Sequence, residues 1–411
     1  MIVVEHPVIE CKANETLLKA NIKNEIFGSD FQLWFAVDKL YGEYLCDDRA
    51  DAFLLAVLMA AMKSHQDIRI QAPVSRKLLF NINNTLQPLF TKMIPKSCCI
   101  RIEAQGGYCS TLQGRAVGCG CSLGVDSLSS LYKHLEENVV DGYRVSHLAL
   151  FNSGQLGYMD KERNEQAFRR AVESIIPFAN EINLPIVAVN TNLNELFVKA
   201  GFKTALCRIL VSTICCPLAL QKLFGKYVFA SSYSIEDFKI SQKDQGYTEA
   251  VVAPLLSTES TEIILSGAVM TRVEKTDYIR KNPLTKKYLD VCWAEQLASS
   301  ACHQVKWLTD KTKKNCGWCD KCLRTLFTME LLGEDIREYE EIFDLKKYYA
   351  HKEEFIKTVL LKRNENAFYR EIYNLMMEKK FEIPRDIARS IKKNTIKSKI
   401  QKGLVIWKRI F

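Results

Sequence analysis

The sequence predicts an α/β protein: a doubly wound parallel sheet with a small N-terminal α/β domain before it, then a cysteine knuckle and a helical, basic C-terminal extension. Three observations predict it. From about Arg115 short β-rich runs alternate with helical stretches, the pattern of parallel strands joined by crossover helices. Before that point short β-like pieces surround one long apolar helix. After about Gly333 the chain turns charged and helical, with no Gly or Pro between Asp335 and Glu382. The expected domains are residues 1–112, 113–332 and 333–411.

In the first domain Ile2 to Val4 read as a strand and FQLWFAVD as a β-like run. The stretch from Asp51 to Met62 reads as a helix whose acidic lead-in suits a helix start, and IRIQAPV and CIRIEAQ follow as short strands. In the second domain RAVGCGC is the first strand and Ser127 to Glu136 the first helix. SHLALFN is the second strand, followed by a helix from Lys161 to Phe178. PIVAVNT is the third strand, TALCRILVSTICCPLALQKLF a buried helix, and KYVFASS the fourth strand. EIILSGAVMTRVEKTDYI and KKYLDVCW then mix strand and helix.

A chain of 411 residues that is 47% hydrophobic can bury a large core, which excludes a disordered protein. It shows no signal-like start and no apolar run of the roughly 18 residues that a membrane span needs, so a cytoplasmic protein is expected. In that compartment most of the 15 cysteines should be reduced core residues, as with Cys207, Cys215 and Cys216. Of the net charge of +9, almost all lies between Arg385 and Phe411, where nine Lys or Arg face one Asp. There Ile383, Ile387, Ile391, Ile396 and Ile400 recur at near-helical spacing. Such a basic amphipathic helix lies on an anionic membrane surface, binds nucleic acid, or packs on its own protein.

Two motifs carry chemistry. The first is SLGVDS, Ser122 to Ser127, between the first strand and first helix of the parallel domain. A strand that turns into a helix presents free N–H groups and a positive dipole end to an anion. Ser122 and Ser127 can donate hydroxyl hydrogen bonds, Gly124 permits a tight curve, and Asp126 can hold Mg2+ between phosphates. The plainer alternative is a turn at Gly124 with Asp126 or Ser127 capping the helix. The second motif is Cys316, Cys319 and Cys322, whose repeated two-residue gap lets thiolates converge on one metal ion. Cys292, at the end of YLDVCW, is the favoured fourth ligand; Cys302 is the alternative and His303 a weaker one. Structural zinc is the first expectation and an iron–sulfur cluster the second.

SLGVDS resembles the SGGxDS loop of the PP-loop ATP pyrophosphatases, a superfamily with a HUP-like doubly wound sheet, with Leu123 in place of a glycine. That resemblance implies ATP cleavage between the α and β phosphates, with Ser122, Gly124, Val125, Asp126 and Ser127 around the nucleotide and adenine near Phe151 and Asn152. YLDVCW with CGWCDKCLR is similar to the cysteine motif of the 7-cyano-7-deazaguanine synthase branch, in which four cysteines hold zinc, ATP activates a carboxylate and ammonia displaces AMP. The likeness covers about Arg115 to Thr325. It implies an adenylating, carbon–nitrogen bond-forming ligase using ATP, Mg2+ and Zn2+, with a small-molecule substrate plus ammonia and a homodimer as partners. In TRVEK, which resembles the branch's TKxE segment, Arg272 would bind pyrophosphate or else pair with Glu274 or Asp277 on a helix surface. Arg324 would contact phosphate near the zinc, or simply start a helix.

Three further readings remain. An RNA-thiolating relative would need a sulfur-carrying cysteine, for which Cys119 and Cys121 stand nearest the loop. A nucleotide-binding protein that has lost catalysis is the other alternative, argued by Leu123. The polar loops SSYSIEDF and STESTE follow β-like runs and offer substrate contacts, Glu259 first among them.

Overall fold

The computed structural model describes residues 1–108, 110–154, 161–202, 204–292 and 313–389. They fall into two compact units, one of residues 1–270 and one that includes residues 271–292 and 313–389. Unit 1 begins with strands β1 (Ile2–Val4), β2 (Val8–Cys11), β3 (Glu15–Asn24) and β4 (Gly28–Asp38), then helix α1 (Asp51–Ser64). Strands β5 (Ile68–Ile70) and β6 (Val74–Ser75), helices α2 (Arg76–Asn81) and α3 (Gln87–Met93), and strands β7 (Ile102–Ala104) and β8 (Gly107–Tyr108) follow.

The alternating part then runs β9 (Ala116–Gly120), α4 (Val125–Lys133), β10 (His147–Asn152), α5 (Lys161–Glu181), β11 (Ile186–Thr191), α6 (Leu193–Lys199), α7 (Ile209–Ala219), β12 (Phe224–Ala230), α8 (Glu249–Leu255) and β13 (Glu262–Ser266). The strands lie in the order β13-β12-β9-β10-β11, all pairs parallel, as the alternation predicts. Chain direction across the sheet reverses at β9, with β10 and β11 to one side and β12 and β13 to the other. The β9–β12 seam is closed by glycine: a Cβ on Gly118 would stand 2.6 Å from the Phe224 ring of β12.

The expected boundary at residue 112 does not divide two bodies. β4 pairs antiparallel with β11, so the N-terminal strands extend the parallel sheet to eleven strands, and one hydrophobic core runs from Ile2 to Ile263. The physical reason is the free edge of β11, which would otherwise present unpaired N–H and C=O groups. Helix α1 is buried from Asp51 to Met62 and packs in that core with α7, itself buried from Leu210 to Ala219. At its start, Asp51 accepts hydrogen bonds from the Ser75 N–H at 2.7 Å, from Gln221 Nε2 at 2.8 Å and from the Tyr108 hydroxyl.

The described residues of unit 2 form helices α9 (Arg272–Arg280), α10 (Pro283–Tyr288), α11 (Asp320–Leu331), α12 (Leu345–Lys362) and α13 (Ala367–Glu378). Hence the cysteine motif belongs with the C-terminal helices and not with the parallel sheet, and the expected boundary at residue 332 falls inside this unit. Helix α9 is capped by Thr271, whose side chain and that of Glu274 close a capping box, as T-x-x-E allows. Of the basic tail, Ile387 is buried; residues 390–411, with Ile391, Ile396 and Ile400, lie outside the described residues. Among the described residues no helix is long and apolar enough to cross a membrane.

Candidate functional site

The SLGVDS loop leaves the carboxyl end of β9, where the strand order reverses. In open α/β sheets that crevice is where ligands bind. Gly124 is the residue before α4 and offers no side-chain cap, so the first-turn N–H groups of the helix are not closed off by a capping side chain. Asp126 and Ser127 lie inside the helix, not at its cap. The hydroxyls of Ser122 and Ser127 are 3.1 Å apart, and Ser127 Oγ donates to the Gly124 carbonyl at 3.1 Å. Ser122 is exposed, Asp126 half-buried, and Val125 and Ser127 buried.

One expectation about this loop is corrected. The tight curve is not at Gly124, whose φ of −81° and ψ of 171° are extended; the left-handed residue is Leu123, with φ of 57°. Leu123 thus adopts the conformation that a glycine takes most cheaply, and it is 0% exposed. Phe151 and Asn152 do end β10 at this edge, but their side chains are committed. Phe151 packs in the core against Tyr227 at 5.5 Å, and the Asn152 amide bonds Asn190 at 2.7 Å and Asn164 at 3.0 Å.

Sequence reasoning missed Glu249. It opens α8, just after the β12 loop, and is 1% exposed. One carboxylate oxygen accepts from the Ser232 N–H at 2.7 Å and the other from the Ser232 hydroxyl at 3.1 Å. Burial pushes its carboxyl up to about 8; the Ser232 bonds oppose this, and the charges of Asp126 and Asp244 add to the rise. Glu249 is therefore an electrostatic neighbour of the SLGVDS loop, and SSYSIEDF supplies the serines that hold it. Glu259 is placed otherwise than expected. STESTE precedes β13, so it lies at the amino end of the parallel strands. There Glu259 accepts from the Lys77 N–H at 2.9 Å and from Ser75 Oγ at 2.5 Å, bracing the start of α2.

In unit 2 the sulfurs of Cys292, Cys316, Cys319 and Cys322 all lie within 4.8 Å of one another, among them Cys316 to Cys322 at 3.9 Å and Cys319 to Cys322 at 3.4 Å. A tetrahedral ion with bonds of about 2.3 Å holds sulfurs about 3.8 Å apart, so the four could hold a metal such as zinc. The Cys319 N–H donates to Cys316 Sγ at 3.3 Å. Cys302 and His303 lie outside the described residues. Asn315, also missed, joins the two arms: its Oδ1 accepts from the N–H groups of Val291 at 2.8 Å and Cys292 at 3.1 Å, beside Cys316 in the chain.

Arg272 and Arg324 come together in the same unit. Their guanidinium carbons lie 4.8 and 4.2 Å from the centroid of the Phe368 ring. A Glu371 carboxylate oxygen accepts from the N–H groups of Arg272 at 2.7 Å and Val273 at 3.3 Å. The anion seat at the start of α9 is thus taken by the chain's own carboxylate. Asp277 pairs with Arg280 and Lys281 instead of Arg272. No family model matches the chain, and neither a curated protein nor a solved structure matches it.

Two outcomes are expected. Purified protein should contain about one zinc per chain by elemental analysis, falling close to zero in Cys292→Ala and retained in Cys302→Ala; retention in Cys292→Ala would contradict the assignment. For Glu249, the unfolded chain loses its proton near pH 4.3 and the folded chain only near the raised value, so the folded state holds the extra proton in between. Stability from this group is therefore lost as pH rises through that window. The melting temperature of Glu249→Gln, relative to wild type, should rise by at least about 3 °C from about pH 5 to about pH 9. A difference that stays constant would show that the carboxyl is not held protonated.

Proposed function

We propose that unit 1 binds ATP at the carboxyl edge of its parallel sheet and cleaves it between the α and β phosphates, adenylating an acceptor carboxylate that ammonia then attacks. The observation that carries this reading is the SLGVDS loop itself, which runs through the left-handed Leu123 into the side-chain-uncapped start of α4 at the reversal of strand order. The N–H groups of that first turn and the hydroxyls of Ser122 and Ser127 would hold phosphate oxygens, and Asp126 would hold Mg2+. A protonated Glu249 adds no negative charge beside the loop, which lessens repulsion of the phosphates. Catalysis of this kind rests on positioning and charge stabilisation, not on a protein nucleophile.

Zinc on four thiolates has no open position, so its role would be structural. The resemblance to 7-cyano-7-deazaguanine synthases supports a small carboxylate as acceptor. RNA thiolation is disfavoured by the cysteines beside the loop. Cys119 and Cys121 are buried, and burial pushes the Cys119 thiol well above its ordinary range, whereas a sulfur carrier works as an accessible thiolate.

Pyrophosphate release should be measured with full-length protein, ATP, Mg2+, ammonium and a panel of small carboxylates. Release should depend on the carboxylate and fall at least about 100-fold in Ser127→Ala and Asp126→Asn. Release of ADP and phosphate instead, or equal rates in the variants, would overturn the proposal.

A further inference from the structure

Arg208 stands immediately before α7 and is 3% exposed. A guanidinium is almost never buried without a counter-charge, because leaving water costs it several kcal/mol. Its partners here are neutral. Nη1 donates to the Ser153 carbonyl at 3.5 Å, Nη2 donates to Asn194 Oδ1, and the Phe197 ring centroid lies 5.0 Å from the guanidinium carbon. Nε, also buried, has no hydrogen-bond partner, and among the described residues no carboxylate pairs with this arginine. Burial pulls its pKa down to about 10, opposed by Cys207 alone.

The surrounding chain is shaped around this group. Gly154 has φ of 104°, a conformation that favours glycine, and a Cβ there would stand 2.5 Å from Nη1, so the backbone passes close to the guanidinium. Ser153 and Gly154 follow β10, and Asn194 follows β11, which puts the guanidinium at the carboxyl edge of the sheet, the edge that carries SLGVDS. Helix α7 has no side-chain cap at its start, and its dipole adds positive potential there. A chain that keeps an uncompensated cation in its interior gives up stability, a trade-off that functional sites recurrently show.

The geometry points to Arg208 as the seat of a ligand oxyanion, a carboxylate or phosphate group that supplies the missing counter-charge at the carboxyl edge of the sheet. The planar guanidinium fork suits both groups. The two sources are an acceptor's carboxylate and a nucleotide's phosphate. The seat goes beyond the proposed reaction and does not require that ATP be cleaved.

The test uses calorimetric titration of full-length wild type, Arg208→Met and Arg208→Lys with benzoate, inorganic phosphate and AMP, and thermal unfolding of each apo protein. Arg208→Met should melt above wild type and bind its probe at least about 30-fold more weakly, with Arg208→Lys in between. A loss confined to benzoate assigns the acceptor's carboxylate; a loss for phosphate and AMP assigns the nucleotide. No binding of any probe to wild type, or equal binding to all three proteins, would overturn the proposal. Should Arg208→Met fail to fold, Arg208→Lys decides, because unchanged affinity for every probe is then the contrary result. Benzoate and phosphate are titrated without ATP, so failure of ATP cleavage and failure of the anion seat are seen separately.

Discussion

The carboxyl edge of the sheet depends on β12 lying directly against β9. After β11 the chain returns past β10 through α6 and α7, and only then adds β12 on the far side of the first strand. A reversal of strand order of this kind is the place where open α/β sheets bind ligands. The seam is packed by a large side chain over a missing one, Phe224 over Gly118. It brings SLGVDS, leaving β9, within electrostatic reach of Glu249, which is held by the loop leaving β12.

At that edge Leu123 sets the shape of the loop. A left-handed conformation costs an L-residue about 1–2 kcal/mol, and full burial of a leucine side chain contributes about 1.5–3 kcal/mol. Complete burial of Leu123 can therefore offset its own backbone strain. The left-handed turn that glycine usually provides is kept here by packing. What changes is the space beside the loop, which the leucine side chain fills on the core side.

Much of this architecture was legible in the sequence. Four of the five parallel strands announced themselves as apolar runs between helical stretches, the fifth read only as part of a mixed run of strand and helix, and the two-residue cysteine gaps with Cys292 anticipated the group of four sulfurs. Partner choice was not legible, since pairing of β4 with β11 joins segments about 150 residues apart and leaves no local trace. Glu249 reads as an ordinary acidic first residue of a helix, and only the fold shows that the position is buried. Glu259 failed for a related reason. A polar loop beside a strand looks the same at either end of a sheet, and the crossover alone decides which end it occupies.

The claim that the start of α4 grips phosphate is tested most directly by Val125→Pro. Val125 is the first helical residue, where proline is tolerated and the N–H serves no bond of the helix ladder; Gly124, with ψ of 171°, already has the extended form that precedes proline. The measurement is calorimetric binding of α,β-methylene-ATP with Mg2+, which cannot be cleaved at the bond in question. The account predicts that wild type binds it and that Val125→Pro, folded and with a melting temperature close to wild type, binds at least about 10-fold more weakly. Equal affinity in the two proteins would mean that this loop is a turn and nothing more.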